Sequence, residues 1–276
     1  MDFIIIGSQR TGSTMLCDYL NKQKDIKCHY ELFLNANIEL SNNNSEKISV
    51  NVNHTIKTFF NYTKKITDKT DLKIIYDILT CGVNNTKYSN PDIVLSILSK
   101  YNLKSFLGFK LFYYQIDKFT NFSLINYLKN NNIKIIHLYR KNKFLQELSY
   151  QKRLQTNISR VQQNEEYINQ KINFNINEYY DRSNTHQVQY NLYTDLFNNN
   201  KLKVLDVSYE DLSKDKTKTV ESIVSFITKN SNFIEIPEES LLIKKMNVYS
   251  LYDQIENFDE VYSILKKDPY FLQALG

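Results

Sequence analysis

The chain reads as an α/β protein, a P-loop-like three-layer fold with a central parallel sheet flanked by helices. Three observations predict this. Four short apolar runs, at 3–6, 105–111, 133–139 and 202–208, are rich in Ile, Val, Leu or aromatics and flanked by turn residues or charges, as strands buried on both faces are. Helix-length segments lie between them. The first run leads into a polar loop bracketed by Gly7 and Gly12 and then into an apolar-periodic helix, a strand–loop–helix unit suited to holding a phosphate.

Taken in order, the strand at 3–6 precedes a helix at 14–21. The stretch Lys27-Cys28-His29-Tyr30-Glu31-Leu32-Phe33 reads as a short second strand or a loop near the first site. Pro91 near its start and Ile93, Ile97 and Leu98 on one face predict a helix over 91–100. The strand at 105–111 follows, then a helix over 122–129, the strand at 133–139 and a helix over 143–153. The strand at 202–208 leads to a helix over 217–228, with Val220, Ile223, Val224 and Ile227 on one stripe, and a last helix is expected near 255–265.

Two regions depart from the alternation. Residues 38–90 are polar with weak helical patterning, and 154–200 are rich in Gln, Asn and Tyr. Both follow an expected active-site element, so they read either as lids on the acceptor side or as surface insertions. With no internal repeat and no Pro/Gly linker, one domain over 1–276 is expected.

Charge and cysteine usage narrow the function classes. The 35 basic and 30 acidic residues leave a net charge of +5, too mild to argue for nucleic acid or a membrane surface but suited to an anionic small ligand. Cys17, Cys28 and Cys81 form no CxxC pair and read as reduced thiols. His29, His54, His137 and His186 lack metal-site spacing, so no metal is expected. The run at 3–6 is too short for a signal peptide or a membrane span, and a complete, soluble, cytoplasmic chain is the expectation.

The loop carries the first chemistry. Gly7 and Gly12 have P-loop spacing, but Ser13 stands where that motif has its lysine, which steers the reading away from ATP. A helix N-terminus carries unsatisfied N–H groups and partial positive charge. Ser8, Gln9, Arg10, Thr11, Gly12, Ser13 and Thr14 would surround an anion there, with the Arg10 guanidinium forking onto it. The plain alternative is a strand-to-helix turn with Thr11 or Ser13 as N-cap.

A second anion site is expected where the strand at 133–139 ends in Arg140. Ser149, nine residues on and about two helical turns into the next helix, faces the same ligand on this reading. The alternative is a solvated basic helix face. Two anion sites imply a ligand with two separated phosphate groups. Glu31 is a candidate general base or a structural ion-pair partner, with His29 two positions away and so on the same face of a regular strand. Lys110, in Gly108-Phe109-Lys110, would offset charge on a leaving group, or is a surface lysine.

Together these residues resemble the sulfotransferases that use 3′-phosphoadenosine 5′-phosphosulfate (PAPS), particularly bacterial carbohydrate and glycolipid enzymes of the Nod-factor and trehalose type. Ser8-Gln-Arg10-Thr-Gly12-Ser13-Thr14-Met-Leu-Cys17 is similar to their 5′-phosphosulfate loop, and His29-Tyr-Glu31-Leu-Phe33 to the segment with their catalytic Glu. Gly108-Phe-Lys110 fits a G-x-K element, and Arg140 to Ser149 their R-x8-S element for the 3′-phosphate. Val207-Ser-Tyr209-Glu210-Asp211-Leu212 resembles a Y-E-D-L strand end, and Lys244-Lys245-Met-Asn247 their C-terminal region. The resemblance implies PAPS as co-substrate without a metal, a carbohydrate, glycolipid or other small-molecule acceptor, Glu31 as base, Arg10 and Lys110 as charge stabilisers, and Lys245 as a further donor contact. The two Asn-rich insertions depart from the family pattern, so the acceptor does not carry over. The rival readings are a P-loop nucleotide or small-molecule kinase and a non-catalytic binder on a degenerate sulfotransferase scaffold.

Overall fold

The computed structural model describes residues 1–31, 35–41, 47–53, 105–116, 124–158, 169–229, 233–237 and 249–275. The expected helix at 91–100, Cys81, Lys245 and most of the first insertion lie outside them.

Five parallel strands form the central sheet in the order β2-β5-β1-β6-β7. They are β1 (Phe3–Gly7), β2 (Ile26–Glu31), β5 (Phe106–Phe112), β6 (Lys134–Tyr139) and β7 (Lys203–Ser208). β1 is the middle strand, pairing with β5 (Gly7 opposite Phe112) and with β6 (Gly7 opposite Leu138). Its apolar run buries both faces, as the sequence predicts. Ile4 and Ile6 join one core with Leu107, Phe109 and Leu111 of β5, Leu128 of α3 (Leu124–Asn130), and Tyr193 and Phe197 of α5 (Ile176–Asn199). Phe3 and Ile5 face a second core with Leu16 and Leu20 of α1 (Ser13–Lys22) and with Val220, Ile223, Val224 and Ile227 of α7 (Lys216–Thr228). Helices therefore cover both faces, and each fully buried aliphatic or Phe side chain contributes about 1.5–3 kcal/mol.

The remaining elements complete the layers. Within the residues after β5, the short α2 (Tyr113–Ile116) follows directly. α4 (Lys143–Thr156) follows β6, and α6 (Tyr209–Lys214) continues from β7, its N-terminus capped by the Ser208 side chain. A third cluster joins Phe144 and Leu148 of α4, Phe174, and Tyr179 of α5 to Leu251 of α8 (Leu251–Gln254), Val261 and Leu265 of α9 (Phe258–Leu265) and Phe271 of α10 (Pro269–Leu275). Cys17 and Cys28 are buried free thiols with their Sγ atoms 3.3 Å apart.

The structure departs from the sequence reading in two places. Residues 176–199 of the second insertion form α5, the crossover helix between β6 and β7. Its many Gln, Asn and exposed positions hide the few core contacts that Tyr179, Tyr193 and Phe197 make. Within the first insertion and just before it, β3 (Asn35–Ser41) and β4 (Lys47–Asn53) pair as an antiparallel hairpin outside the main sheet. Alternation of Ile38 and Leu40, and of Ile48, Val50 and Val52, is the period-two signal that the surrounding Asn masks.

Candidate functional site

The sheet's parallel register brings the carboxyl ends of β1, β5 and β6 to one edge, where α/β folds bind ligands. The loop from Ser8 to Gly12 lies there. Gly12 occupies the N-cap position of α1 with φ 79°, in the left-handed region, and no side chain caps the helix. The N-cap role considered for Thr11 or Ser13 is thus not taken; Thr11 Oγ1 instead donates to the Ser8 carbonyl at 2.9 Å, closing the loop on itself. Glycine is required at 12 on two counts. Its φ is one that L side chains rarely adopt, and a Cβ would stand 2.7 Å from Cδ2 of Tyr209. At the strand end, a Cβ on Gly7 would stand 2.1 Å from the Leu138 carbonyl oxygen, so β1 and β6 approach too closely there for any side chain.

Lys110 is not a surface lysine. Only 2% exposed, it reaches from β5 to the loop, where its Nζ donates to Thr14 Oγ1 at 2.8 Å. The rings of Phe112 and Tyr30 lie 5.2 and 5.9 Å from the ammonium. Beside the loop's own Arg10, the neighbouring strand thus brings a second buried cation to the start of α1.

The second anion element meets the first. Arg10 Nε donates to Ser149 Oγ at 3.0 Å, and Arg140 Nη1 donates to the Arg10 carbonyl at 3.2 Å. Arg10 itself has φ 64°, a left-handed conformation uncommon for a side-chain-bearing residue. Burial, then the charges of Arg140 and Arg153, push the Arg10 guanidinium down to about 10. Burial likewise lowers Arg140. These cations would be relieved by an anion.

Gln146 and Ser149 of α4 meet the loop, and the lysines before and after them on the helix are buried too, unlike the solvated basic face considered from the sequence. Lys143, Gln146, Ser149 and Lys152 are each less than one-tenth exposed. Lys143 Nζ donates to the Arg140 carbonyl at 2.7 Å, and burial pushes both Lys143 and Lys152 down to about 8.

Residues at the end of β7 support this arrangement. Arg140 stacks over the Tyr209 ring at 4.4 Å. Glu210 accepts the backbone N–H groups of Lys141 and Asn142 at 2.9 and 3.0 Å, and its Oε1 stands 4.0 Å from Arg140 Nε. At that distance there is no hydrogen bond, and the buried Nε of Arg140 has no hydrogen-bond partner among the described residues. A cradle closed by Gly12, with buried cations and a buried donor of this kind, fits a phosphate-bearing ligand.

Residues 2–229 match the sulfotransferase family. The chain belongs to the sulfotransferase family. This sulfotransferase is similar to two solved structures. One is a sulfotransferase from Alicyclobacillus acidocaldarius, at 14% identity and a TM-score of 0.46, covering 99% of this chain and 94% of that one. The other is the sulfotransferase domain from the curacin biosynthetic pathway, at 15% identity and a TM-score of 0.47, covering 86% and 75%. No curated protein matches by sequence.

Of the residues that the sequence singles out in this sulfotransferase, Arg10 is hydrogen-bonded to Ser149 and Arg140, and Lys110 to Thr14, while Ser8, Gln9, Thr11, Gly12 and Ser13 belong to the same loop and helix start. Glu31 closes β2 opposite Lys110, but a register shift lies between His29 and Glu31. That bulge breaks the period-two alternation that was expected to place both on one face. Sequence reading missed the parts played by Gln146, Tyr209 and Glu210. The Tyr209-Glu210 pair at the strand end was the available signal. Among the described residues, no group of three or more His, Cys, Asp or Glu is placed to hold a metal, and no helix is long and apolar enough to cross a membrane.

Proposed function

We propose that this sulfotransferase moves a sulfuryl group from PAPS to a hydroxyl of a carbohydrate or glycolipid acceptor, with Glu31 as general base. The observation that carries the donor reading is the junction at Arg10. There the 5′ loop and the Arg140–Ser149 clamp share hydrogen bonds, and buried guanidiniums stand together. A donor with separated 5′ and 3′ anions suits both halves at once.

PAPS, when bound, supplies an activated sulfuryl group and a leaving bisphosphate. On this proposal Ser8 to Thr14 hold the 5′ end through hydroxyls and the helix terminus. Arg140 and Ser149 hold the 3′-phosphate, with Lys245 as a further contact. Arg10 and Lys110 offset the negative charge that grows on the departing oxygen, and low local dielectric strengthens that effect. Glu31 accepts the acceptor's hydroxyl proton; its place opposite Lys110 in the β2–β5 register supports this. On this proposal the insertions at 38–90 and 154–200 belong to a single domain and cover the acceptor side.

The test is thermal denaturation with adenosine 3′,5′-bisphosphate, ADP or ATP–Mg²⁺ at equal concentration. Selective stabilisation by the bisphosphate is expected. Stabilisation by ATP–Mg²⁺ alone would overturn the donor assignment, and none by any of the three would indicate a scaffold that has lost its donor site.

A further inference from the structure

We propose that Gln146 is a positioning residue that sets the conformation of the donor loop; the inference rests on the donor reading above. Gln146 lies on α4 one turn before Ser149 and is 1% exposed. Its Nε2 donates to Ser8 Oγ at 2.8 Å and to the Gln9 carbonyl at 2.7 Å, so the amide meets two consecutive loop residues.

The Gln9 carbonyl belongs to the peptide plane immediately before Arg10, and the orientation of that plane fixes the φ of Arg10. The plane immediately after Arg10 carries the carbonyl that accepts from Arg140. The two planes flanking a left-handed residue are thus held from α4 and from the end of β6. A non-glycine residue keeps such a φ only when its surroundings over-determine it. The reward is the direction of the Arg10 side chain, whose Nε reaches Ser149. Without the Gln146 bond, the first plane is free to turn, Arg10 relaxes towards negative φ and its guanidinium leaves the junction.

Both side-chain hydrogen bonds of Gln146 go to the 5′ side. Arg140 keeps its stacking on Tyr209 and its place 4.0 Å from Glu210 when its bond to the Arg10 carbonyl is disturbed. The consequence is selective, and a merely structural role would not reproduce it.

Gln146→Met keeps the unbranched shape and removes both donors. Binding of three probes is measured by calorimetry: AMP for the 5′ side, 3′-AMP for the 3′ side, and adenosine 3′,5′-bisphosphate for both. Affinity for AMP and the bisphosphate is expected to fall about tenfold or more, given two buried hydrogen bonds lost, while 3′-AMP, whose side loses only what Arg10 lends to Ser149 and Arg140, falls clearly less. Equal loss for all three probes, or no loss for any, overturns the positioning role. Wild-type protein that binds none of the three overturns the donor reading and this inference with it. Gln146→Asn keeps the amide but draws it back from both acceptors, without touching a residue of the donor loop. It should show the same pattern at smaller amplitude, so a Gln146→Met chain that fails to fold does not shield the inference from refutation.

Discussion

Two guanidiniums side by side out of water repel, and Arg10 and Arg140 are kept in that arrangement by hydrogen bonds, an aromatic face and a nearby carboxylate. A tightly interlocked junction makes single atoms matter. Gly12→Ala illustrates this, since the added methyl meets Tyr209, the ring on which Arg140 rests. With the strain of a left-handed φ added, the substitution should cost about 1–3 kcal/mol of stability and weaken bisphosphate binding more than about tenfold. Thermal melting and a binding titration check the two parts separately; an unchanged affinity would mean that Tyr209 moves without carrying Arg140. Glu31→Gln is expected to abolish turnover while leaving bisphosphate affinity unchanged. Surviving turnover would remove Glu31 from the role of base and make His29 the better candidate. Much of the junction was legible in the chain, because Arg140 and Ser149 are separated by a fixed helical spacing and the Gly7–Gly12 loop has its own signature. Gln146 was visible on the same helix, yet its role was not, since one-dimensional spacing does not say which loop faces a helix. For Lys110 and Glu31 the sequence offered only position, and the bulge after His29 shows how one extra residue undoes a periodicity argument.

At the scale of elements, α5 is the instructive case. It runs for 24 residues and buries only Tyr179, Tyr193 and Phe197 among them. Such a thin apolar stripe reads as a polar insertion when propensity and pattern are the only guides. The strands were easier: buried on both faces, they could be made of little else than Ile, Leu, Val and Phe. The packing of α5 on α4 makes a pH prediction. Burial, followed by the charges of Lys143 and Arg182, pushes His186 on α5 down to about 4. The unfolded chain takes up this proton near the ordinary pKa of about 6.5, whereas the folded chain resists it. Stability is therefore present above about 6.5 and is lost as pH falls from there towards 4. His186→Gln should flatten that descent, measured as the difference between wild-type and variant unfolding free energies across pH. Glu147, raised by burial and beside Arg182, titrates with the opposite sign and is common to both curves. A difference curve without slope between pH 6.5 and 4 would show that His186 is not held neutral in the folded state.

For the whole molecule, the candidate site draws on the centre of the sheet, from β1, β5 and β6 together with α1 and α4. A ligand spanning the site should resist global unfolding rather than local fraying. The bisphosphate at about a hundred times its dissociation constant should add roughly 2.7 kcal/mol, which is about 5–10 °C of melting temperature for a chain of this size. A shift of that order with a single cooperative transition is the expected melting curve; a ligand effect confined to a minor early transition would mean that the site unfolds apart from the sheet.

The strand order also bears on how this chain is made. β1 is synthesised before both its sheet partners, which lie far downstream: Phe3 pairs with Gly108 and with Lys134. At ordinary elongation rates of about 5–20 residues per second, the bare Phe-Ile-Ile-Ile segment waits roughly 5–20 seconds before its first neighbour is synthesised. Such a segment is sticky while it waits. During synthesis, the strand that leads into the Ser8–Gly12 loop therefore exposes apolar surface of the kind that chaperones cover.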